Sequence, residues 1–244
     1  MASKKKLKKN ELDTLIAKIV SHQPSRIAAT TKDHSMFFSV YFGPDYIQYA
    51  SADLHHAMFA ITEDESIKLA VITAFRSSGK STICSTSYPL WAILGKQQKK
   101  FVLLLGQTQQ KAQQMLANVK HVMETSEILR ADLGPFQEER SPWGATALVI
   151  SRFGAKIMIA SAEQSVRGLR HRQYRPDLII VDDIEDLESV KTKEGRDKTW
   201  DWLVGDVFQA GDDRRTKIIV VGNHLHEDSV LKRLEAHIAT GNVP

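Results

Sequence analysis

Ile67-Lys68-Leu69-Ala70-Val71-Ile72-Thr73-Ala74-Phe75-Arg76-Ser77-Ser78-Gly79-Lys80-Ser81-Thr82 decides the fold. Residues 67–75 are apolar enough for a buried strand, a Gly-containing turn follows, and a helical stretch opens at Lys80. Gly-Lys-Ser/Thr between a strand and a helix is the setting of a phosphate-binding loop, in which backbone N–H groups and the helix N-terminus point at an anion. On that reading Ser77, Ser78, Gly79 and Thr82 frame the phosphates, Lys80 reaches the β- and γ-phosphates, and the Ser81 hydroxyl coordinates Mg²⁺. Ala74 stands where the usual pattern has its first glycine, and Gly-Lys-Ser-Thr also occurs as a plain turn before a helix. Arg76 inside the loop can reach a γ-phosphate or a carboxylate, or can be a surface arginine.

A partner signal lies about a hundred residues on. Leu178-Ile179-Ile180-Val181-Asp182-Asp183 is an apolar strand ending in two carboxylates. Beside a phosphate loop, Asp182 is placed to hold Mg²⁺ and Asp183 to polarise an attacking water, with Glu185 a second candidate for that role. Asp182-Asp183 also suits a helix N-cap after a strand. That does not account for Glu185, Asp186 and Glu188 beside them, a density that repels itself unless something positive is near. Upstream, residues 167–175 carry Arg167, Arg170, Arg172 and Arg175. Three readings compete: a finger on a neighbouring subunit's nucleotide, a contact to a DNA backbone, or local pairing with the acids at 182–188. A third apolar strand, residues 217–221, runs into Gly222, Asn223 and His224, a small polar group suited to sensing a γ-phosphate. His224, His226 and Glu227 lack a convincing further partner as a metal site.

The remaining pattern predicts strands at 101–105, 147–151 and 155–160, the last two a hairpin about Arg152-Phe153-Gly154. Helices are predicted at 107–123, 196–208 and about 227–238, and Pro89 is expected to kink or end the helix behind the phosphate loop. Strands that are apolar throughout and alternate with helices imply an α/β fold with a mostly parallel central sheet flanked by helices. Residues 23–66 read as irregular and aromatic. Residues 10–22 place Leu12, Leu15, Ile16, Ile19 and Val20 at helical spacing.

Composition agrees with this frame. The chain has 244 residues, 42% hydrophobic and 25% charged, which excludes wholesale disorder. No apolar run reaches the roughly 18 residues of a membrane span, and the start lacks the apolar core of a secretory signal. The single cysteine, Cys84, suits a reducing cytosol. Net charge is +4, yet Lys4, Lys5, Lys6, Lys8 and Lys9 account for it; without them 28 basic residues face 29 acidic ones. The basic start is either an arm for nucleic acid or another acidic partner, or a solvated terminus.

Ala-x-Arg-x-x-Gly-Lys-Ser-Thr, then Arg-Gly-x-Arg, Arg-Pro-Asp-Leu-Ile-Ile-Val-Asp-Asp-Ile-Glu-Asp and Gly-Asn-x-x-His-Glu-Asp-Ser together resemble the ATPase domain of bacteriophage large terminase subunits over about residues 67–234. The resemblance implies a P-loop NTPase of the additional-strand type, using ATP and Mg²⁺ to drive double-stranded DNA into a procapsid. It implies Lys80 and Ser81 on phosphate and Mg²⁺, Arg76 as the loop arginine, Asp182 and Asp183 as the acidic pair, and Gly222, Asn223 and His224 at a coupling motif. Arg167 would be the finger supplied to a neighbour, with Arg170 and Arg172 in reserve. Tyr46 and Gln48 fall where the family builds its adenine pocket. Implied partners are duplex DNA, the portal protein, the small terminase subunit and further copies in a ring, the isolated domain being a monomer. The implied location is the host cytoplasm, transiently docked on the procapsid.

The implied organisation is a basic arm and amphipathic helix over 1–22 and an ATPase domain over 23–244. The family's C-terminal nuclease domain has no room after the last strand, so the sequence reads either as a piece of a longer chain, the favoured reading, or as a family member that lacks the nuclease. Two other functions compete. One is a helicase-like P-loop ATPase, although Asp182-Asp183-Ile184-Glu185 differs from the helicase box. The other is a nucleotide-gated module that docks the small subunit or portal without productive turnover.

Overall fold

The structure is a computed structural model and describes residues 17–47, 51–137, 142–162 and 164–241. The basic arm, most of the helix expected over 10–22, and Gln48 lie outside the described residues; the described part of that helix, 17–21, is helical.

Among the described residues, six strands form one sheet: β1 (Leu69–Thr73), β2 (Phe101–Gly106), β3 (Ala147–Ile150), β4 (Ala155–Ser161), β5 (Leu178–Asp182) and β6 (Lys217–Gly222). Their order is β1-β6-β5-β2-β4-β3. All neighbours are parallel except the β3–β4 hairpin, which turns through Ser151–Phe153 and a left-handed Gly154. β2, β5 and β6 are buried at every position, as their unbroken apolar runs require, whereas the edge strand β1 alternates between buried and half-buried residues.

Period-2 alternation sorts their side chains between two cores. Val102, Leu104, Leu178, Ile180, Ile219 and Val221 face one, packed with Trp91, Leu116, Val119 and Phe37. Leu103, Leu105, Ile179, Val181, Ile218 and Val220 face the other, with Leu203, Val207, Val230 and Leu234. Each parallel strand therefore delivers its C-terminal end to the same edge, where α/β sheets bind ligands. β6, the last strand in sequence, lies between β1 and β5 and separates the loop-bearing strand from the acid-bearing one. That insertion is the additional strand of the expected fold.

Two expectations are corrected. Residues 23–66 are largely helical where described, with helices at Gln23–Lys32, His34–Tyr41, Gly43–Tyr46 and Asp53–Glu63. Phe37, Phe38, Tyr41 and Phe42 are spaced at helical intervals and pack into the first core, and Asp33 caps their helix through the Met36 N–H at 2.7 Å. Pro89 does not end the helix behind the phosphate loop. A π-helical segment, Thr82–Ser87, precedes it, and the α-helix Tyr88–Leu94 carries Pro89 in its first turn. The wider turn before Pro89 and its place in the first turn of the α-helix accommodate a residue without an N–H.

Candidate nucleotide site

The loop after β1 folds as a phosphate cradle. Gly79 has φ +78° and Ser77 φ +63°, so two of its residues are left-handed, one of them a non-glycine held against its preference. The Ile83 N–H bonds the Gly79 carbonyl at 2.9 Å and starts the helix. From the N-terminal helices, His55 accepts the Ala52 N–H on Nδ1 and donates from Nε2 to the Ser78 carbonyl, each at 2.9 Å. His55 is a support that the sequence did not point to, since it lies outside any motif.

Lys80 is buried, at 6% exposure, and its Nζ donates to Asn223 Oδ1 at 3.3 Å. Asn223 stands at the end of β6, so the additional strand brings the expected sensing group to the loop lysine. Asp182 closes β5. Its Oδ2 accepts the Ser85 hydroxyl at 2.6 Å, while its buried Oδ1 has no hydrogen-bond partner. Burial raises the Asp182 carboxyl above the usual carboxylate range, the neighbouring Asp183 adds to this, and Ser85, Ser81 and Lys80 oppose it. An open oxygen on a buried carboxylate beside a serine hydroxyl fits a hard divalent cation held by few protein ligands.

Asp183 adopts φ +45°, with its N–H on the Val221 carbonyl at 2.9 Å. This bend aims it at the end of β6, where a side chain on Gly222 would meet Leu231 at 2.9 Å and Asp183 Oδ1 at 3.3 Å. No helix begins at Asp182-Asp183, so the helix-cap reading of that pair does not hold.

The other acids also border this side of the molecule but already have hydrogen-bond or ion-pair partners. Both Glu185 oxygens accept the Val230 N–H at 3.0 Å, fixing the N-terminus of helix Val230–Thr240. Asp186 takes the Ser189 N–H at 2.7 Å, and Glu188 pairs with Lys191 at 2.6 Å. Of the five acids, Asp182 and Asp183 are left for a ligand.

A cleft of about 620 Å³ has Arg76, Ser77, Lys80, Ser81, Asp183, Glu185 and Asn223 on its walls, joined by Lys111. No sequence motif marks Lys111. The signal lay in topology, because the helix after β2 must also begin at the strands' C-terminal edge. On the other side of the loop, Tyr46, Ile47, Phe38, His55, Gly79 and Thr82 border a second cavity of about 320 Å³.

Arg167 does not line the cleft. Nε pairs with Asp206 and Nη2 donates to the Gly205 carbonyl at 2.8 Å, and the side chain remains 63% exposed. Arg175 Nη1 reaches the Gly211 carbonyl at 3.4 Å. Among the described residues no arginine of 167–175 forms an ion pair with the acids at 182–188, so that reading is set aside. His224 Nε2 lies 3.1 Å from Glu235, and His226 Nδ1 accepts the Asp228 N–H at 2.9 Å.

The topology is that of the P-loop NTPase fold of the additional-strand type. The bacteriophage HK97 large terminase is similar, with a TM-score of 0.56 and 14% identity over 80% of this chain. The chain spans 38% of the length of that protein. Two structures of the Thermus phage P74-26 large terminase ATPase domain align with TM-scores of 0.49 and 0.48, at 13% and 15% identity, over 73% of this chain and 67% of theirs. At 14% identity the likeness to the HK97 protein establishes the fold alone. No protein-family model matches the chain, and no curated protein does. No helix among the described residues is long and apolar enough to cross a membrane.

Proposed function

We propose that this chain is the ATP-hydrolysing motor domain of a viral large terminase, acting on double-stranded DNA. The observation that carries the reading is the meeting of three strand ends: buried Lys80 on Asn223, and Asp182 beside them with one oxygen open. In this reading the loop N–H groups and Lys80 bind the β- and γ-phosphates of ATP, and Arg76 reaches the γ-phosphate from the cleft wall. Ser81 and Asp182 hold Mg²⁺, which supplies charge neutralisation on the phosphates. Asp183 accepts a proton from the attacking water, held toward Gly222 by its left-handed backbone. Glu185 contributes by anchoring helix Val230–Thr240 and does not act on the water. The adenine occupies the cavity bordered by Tyr46 and Ile47.

Arg167 acts on a neighbouring copy in a ring. Its pair with Asp206 is exposed, so releasing it costs little. Portal protein and the small terminase subunit are the remaining partners, and the setting is the host cytoplasm with transient docking on the procapsid. Turnover of ATP with and without duplex DNA tests the reading: hydrolysis that Mg²⁺ supports and duplex stimulates is expected. Tight ATP binding without turnover under either condition would favour the nucleotide-gated docking module, and stimulation by single strands alone would favour the helicase-like ATPase.

A further inference from the structure

The opposite edge of the sheet carries a different charge pattern. Each of the five parallel strands opens on cations at its N-terminal end. Lys68 precedes β1, Arg214 and Arg215 precede β6, Arg175 precedes β5, Lys99 and Lys100 precede β2, and Lys156 is the second residue of β4. Backbone and side-chain contacts knit these starts together. The Ile218 N–H bonds the Lys68 carbonyl at 2.7 Å, and Lys99 Nζ reaches the Arg215 carbonyl at 3.5 Å. Lys100 Nζ reaches the Phe153 carbonyl at 2.9 Å, and the Lys156 N–H bonds the Lys100 carbonyl at 2.9 Å. Parallel strands lie about 4.8 Å apart, so the five starts form a row roughly 20 Å long.

Some of these cations also touch backbone carbonyls or, for Lys156, the Phe101 ring, but no carboxylate of the described residues pairs with their charge. Among the described residues none of the seven is in an ion pair. Lys68, Arg175, Arg214 and Arg215 are exposed. The helix C-terminus that ends at this edge is already served by buried Lys217, whose Nζ donates to the Thr62 carbonyl at 3.2 Å and the Asp64 carbonyl at 2.7 Å. The acids nearby are Asp64, Glu65, Asp177, Asp212 and Asp213. Asp177 turns inward to the Lys100 and Phe101 N–H groups at 2.8 and 2.9 Å, Asp64 takes the Ser66 N–H at 2.8 Å, and Asp212 takes the Arg214 N–H at 3.0 Å. Glu65 and Asp213 are exposed.

We infer that this cationic row at the N-terminal ends of the parallel strands is the surface that lies along the phosphate backbone of duplex DNA. The inference rests on the motor reading and adds the surface that this reading lacks. Duplex DNA is the occupant that fits. Each strand presents about one negative charge per 3.4 Å of axis, so a 20 Å row lying along one backbone faces roughly six phosphates and displaces their counterions. Contacts made by lysine and arginine to phosphates carry no sequence preference, which suits a motor that must pass any sequence. The row sits on the edge opposite the nucleotide cleft. The strands of the sheet link the two, so ATP and DNA are not in competition for one site.

The test compares two variants of the full chain. One replaces Lys68, Lys156, Arg214 and Arg215 by Gln; the other replaces Lys120, Lys191, Lys193 and Lys198 by Gln, removing equal charge elsewhere. Both keep the lysines of residues 4–9. Binding of a labelled 30-base-pair duplex is followed by anisotropy between about 50 and 200 mM salt. Each lost phosphate contact lowers the slope of log K against log salt by about 0.9, so the row variant should lose roughly 2–4 of slope and at least about 10-fold in affinity at 100 mM. The control variant should match wild type, and DNA-free ATP turnover should be the same in all three. Equal losses in both variants, or wild-type affinity in the row variant, overturn the surface. So does failure of wild type to bind duplex at 50 mM, while Lys80-dependent turnover then shows whether the nucleotide reading survives.

Discussion

Buried charges at the two edges of the sheet are treated in opposite ways. At the N-terminal edge, Lys217 is 1% exposed and its ammonium donates to the carbonyls of Ile61, Thr62 and Asp64, all at or just past the C-terminus of helix Asp53–Glu63. An ammonium has three donors, and all three are used. At the C-terminal edge, Asp182 is 5% exposed with one oxygen unmatched, and Lys80 is 6% exposed with one contact at 3.3 Å. A buried charge whose hydrogen-bonding capacity is filled serves the fold. One left partly open is held ready for a ligand, because burying it unmatched costs free energy that only a ligand returns.

Breaking the open side should abolish chemistry and leave the fold. Lys80→Ala is expected to reduce ATP hydrolysis to background and weaken ATP binding, with thermal unfolding little changed. Near-normal turnover would remove the phosphate-loop assignment. Next in size is Arg167→Ala, because a finger supplied from outside contributes about 10³–10⁵ in rate. Mixing that variant with Lys80→Ala should restore some turnover, each chain supplying what the other lacks. A mixture that stays inactive at concentrations where wild type works would pass the role to Arg76.

Asp183→Asn should cut turnover by roughly 10²-fold or more while ATP still binds, as expected for loss of a base. Glu185→Gln sharpens the comparison within the same acid stretch. It retains an oxygen to accept the Val230 N–H, so its effect on turnover should be smaller than that of Asp183→Asn. The reverse ranking, with ATP binding intact, would make Glu185 the catalytic carboxylate.

The open side was the more legible one in the sequence. Lys80, Ser81, Asp182 and Asn223 are each anchored to the end of an apolar strand, and a strand end fixes both position and direction from sequence alone. The parallel sheet, the hairpin and the additional strand were legible for the same reason. Residues 23–66 were not. There the aromatics that define helix His34–Tyr41 are crowded enough to hide the polar face that marks an amphipathic helix. His55 and Lys111 were also invisible, since each reaches the site from a distant segment through a packing arrangement that no local pattern encodes. Lys217 read only as the polar first residue of a strand, and its role depends on a helix end more than 150 residues earlier.

Breaking the filled side should do the opposite of Lys80→Ala. Lys217→Met leaves the carbonyls of Ile61 and Asp64 without that donor, while the Thr62 carbonyl keeps Gln97 at 2.9 Å. Leaving two part-buried acceptors without a protein donor costs about 2 kcal/mol. Urea unfolding should show that loss with turnover per folded molecule unchanged at low temperature. An unchanged urea midpoint would mean that the filled charge is not structural, and the contrast between the edges would fail.

The smallest effect concerns His34, which lies in the same neighbourhood and is fully buried. Its Nδ1 lies 2.7 Å from Thr62 Oγ1 and its Nε2 2.9 Å from Ser87 Oγ, and the ring stacks on Trp91 at 5.1 Å and meets Phe59 edge-on at 5.0 Å. Burial, with nearby Lys217 adding to it, lowers its pKa from 6.5 to about 3. Glu63 faces it too, through the His34 N–H at 2.8 Å. Between pH 6.5 and 3 the unfolded chain binds a proton at this ring and the folded chain does not. Stability is therefore complete above pH 6.5 and falls as pH drops through that window. At pH 5 the loss due to this one group is about 2 kcal/mol relative to neutral pH. His34→Gln keeps a hydrogen-bonding side chain but cannot titrate, so its stability should start lower at pH 7.5 and decline less steeply by pH 5. Parallel decline in the two proteins would show that His34 is protonated in the folded state. The neutral ring joining the N-terminal helices to the π-helical segment behind the phosphate loop would then be wrong.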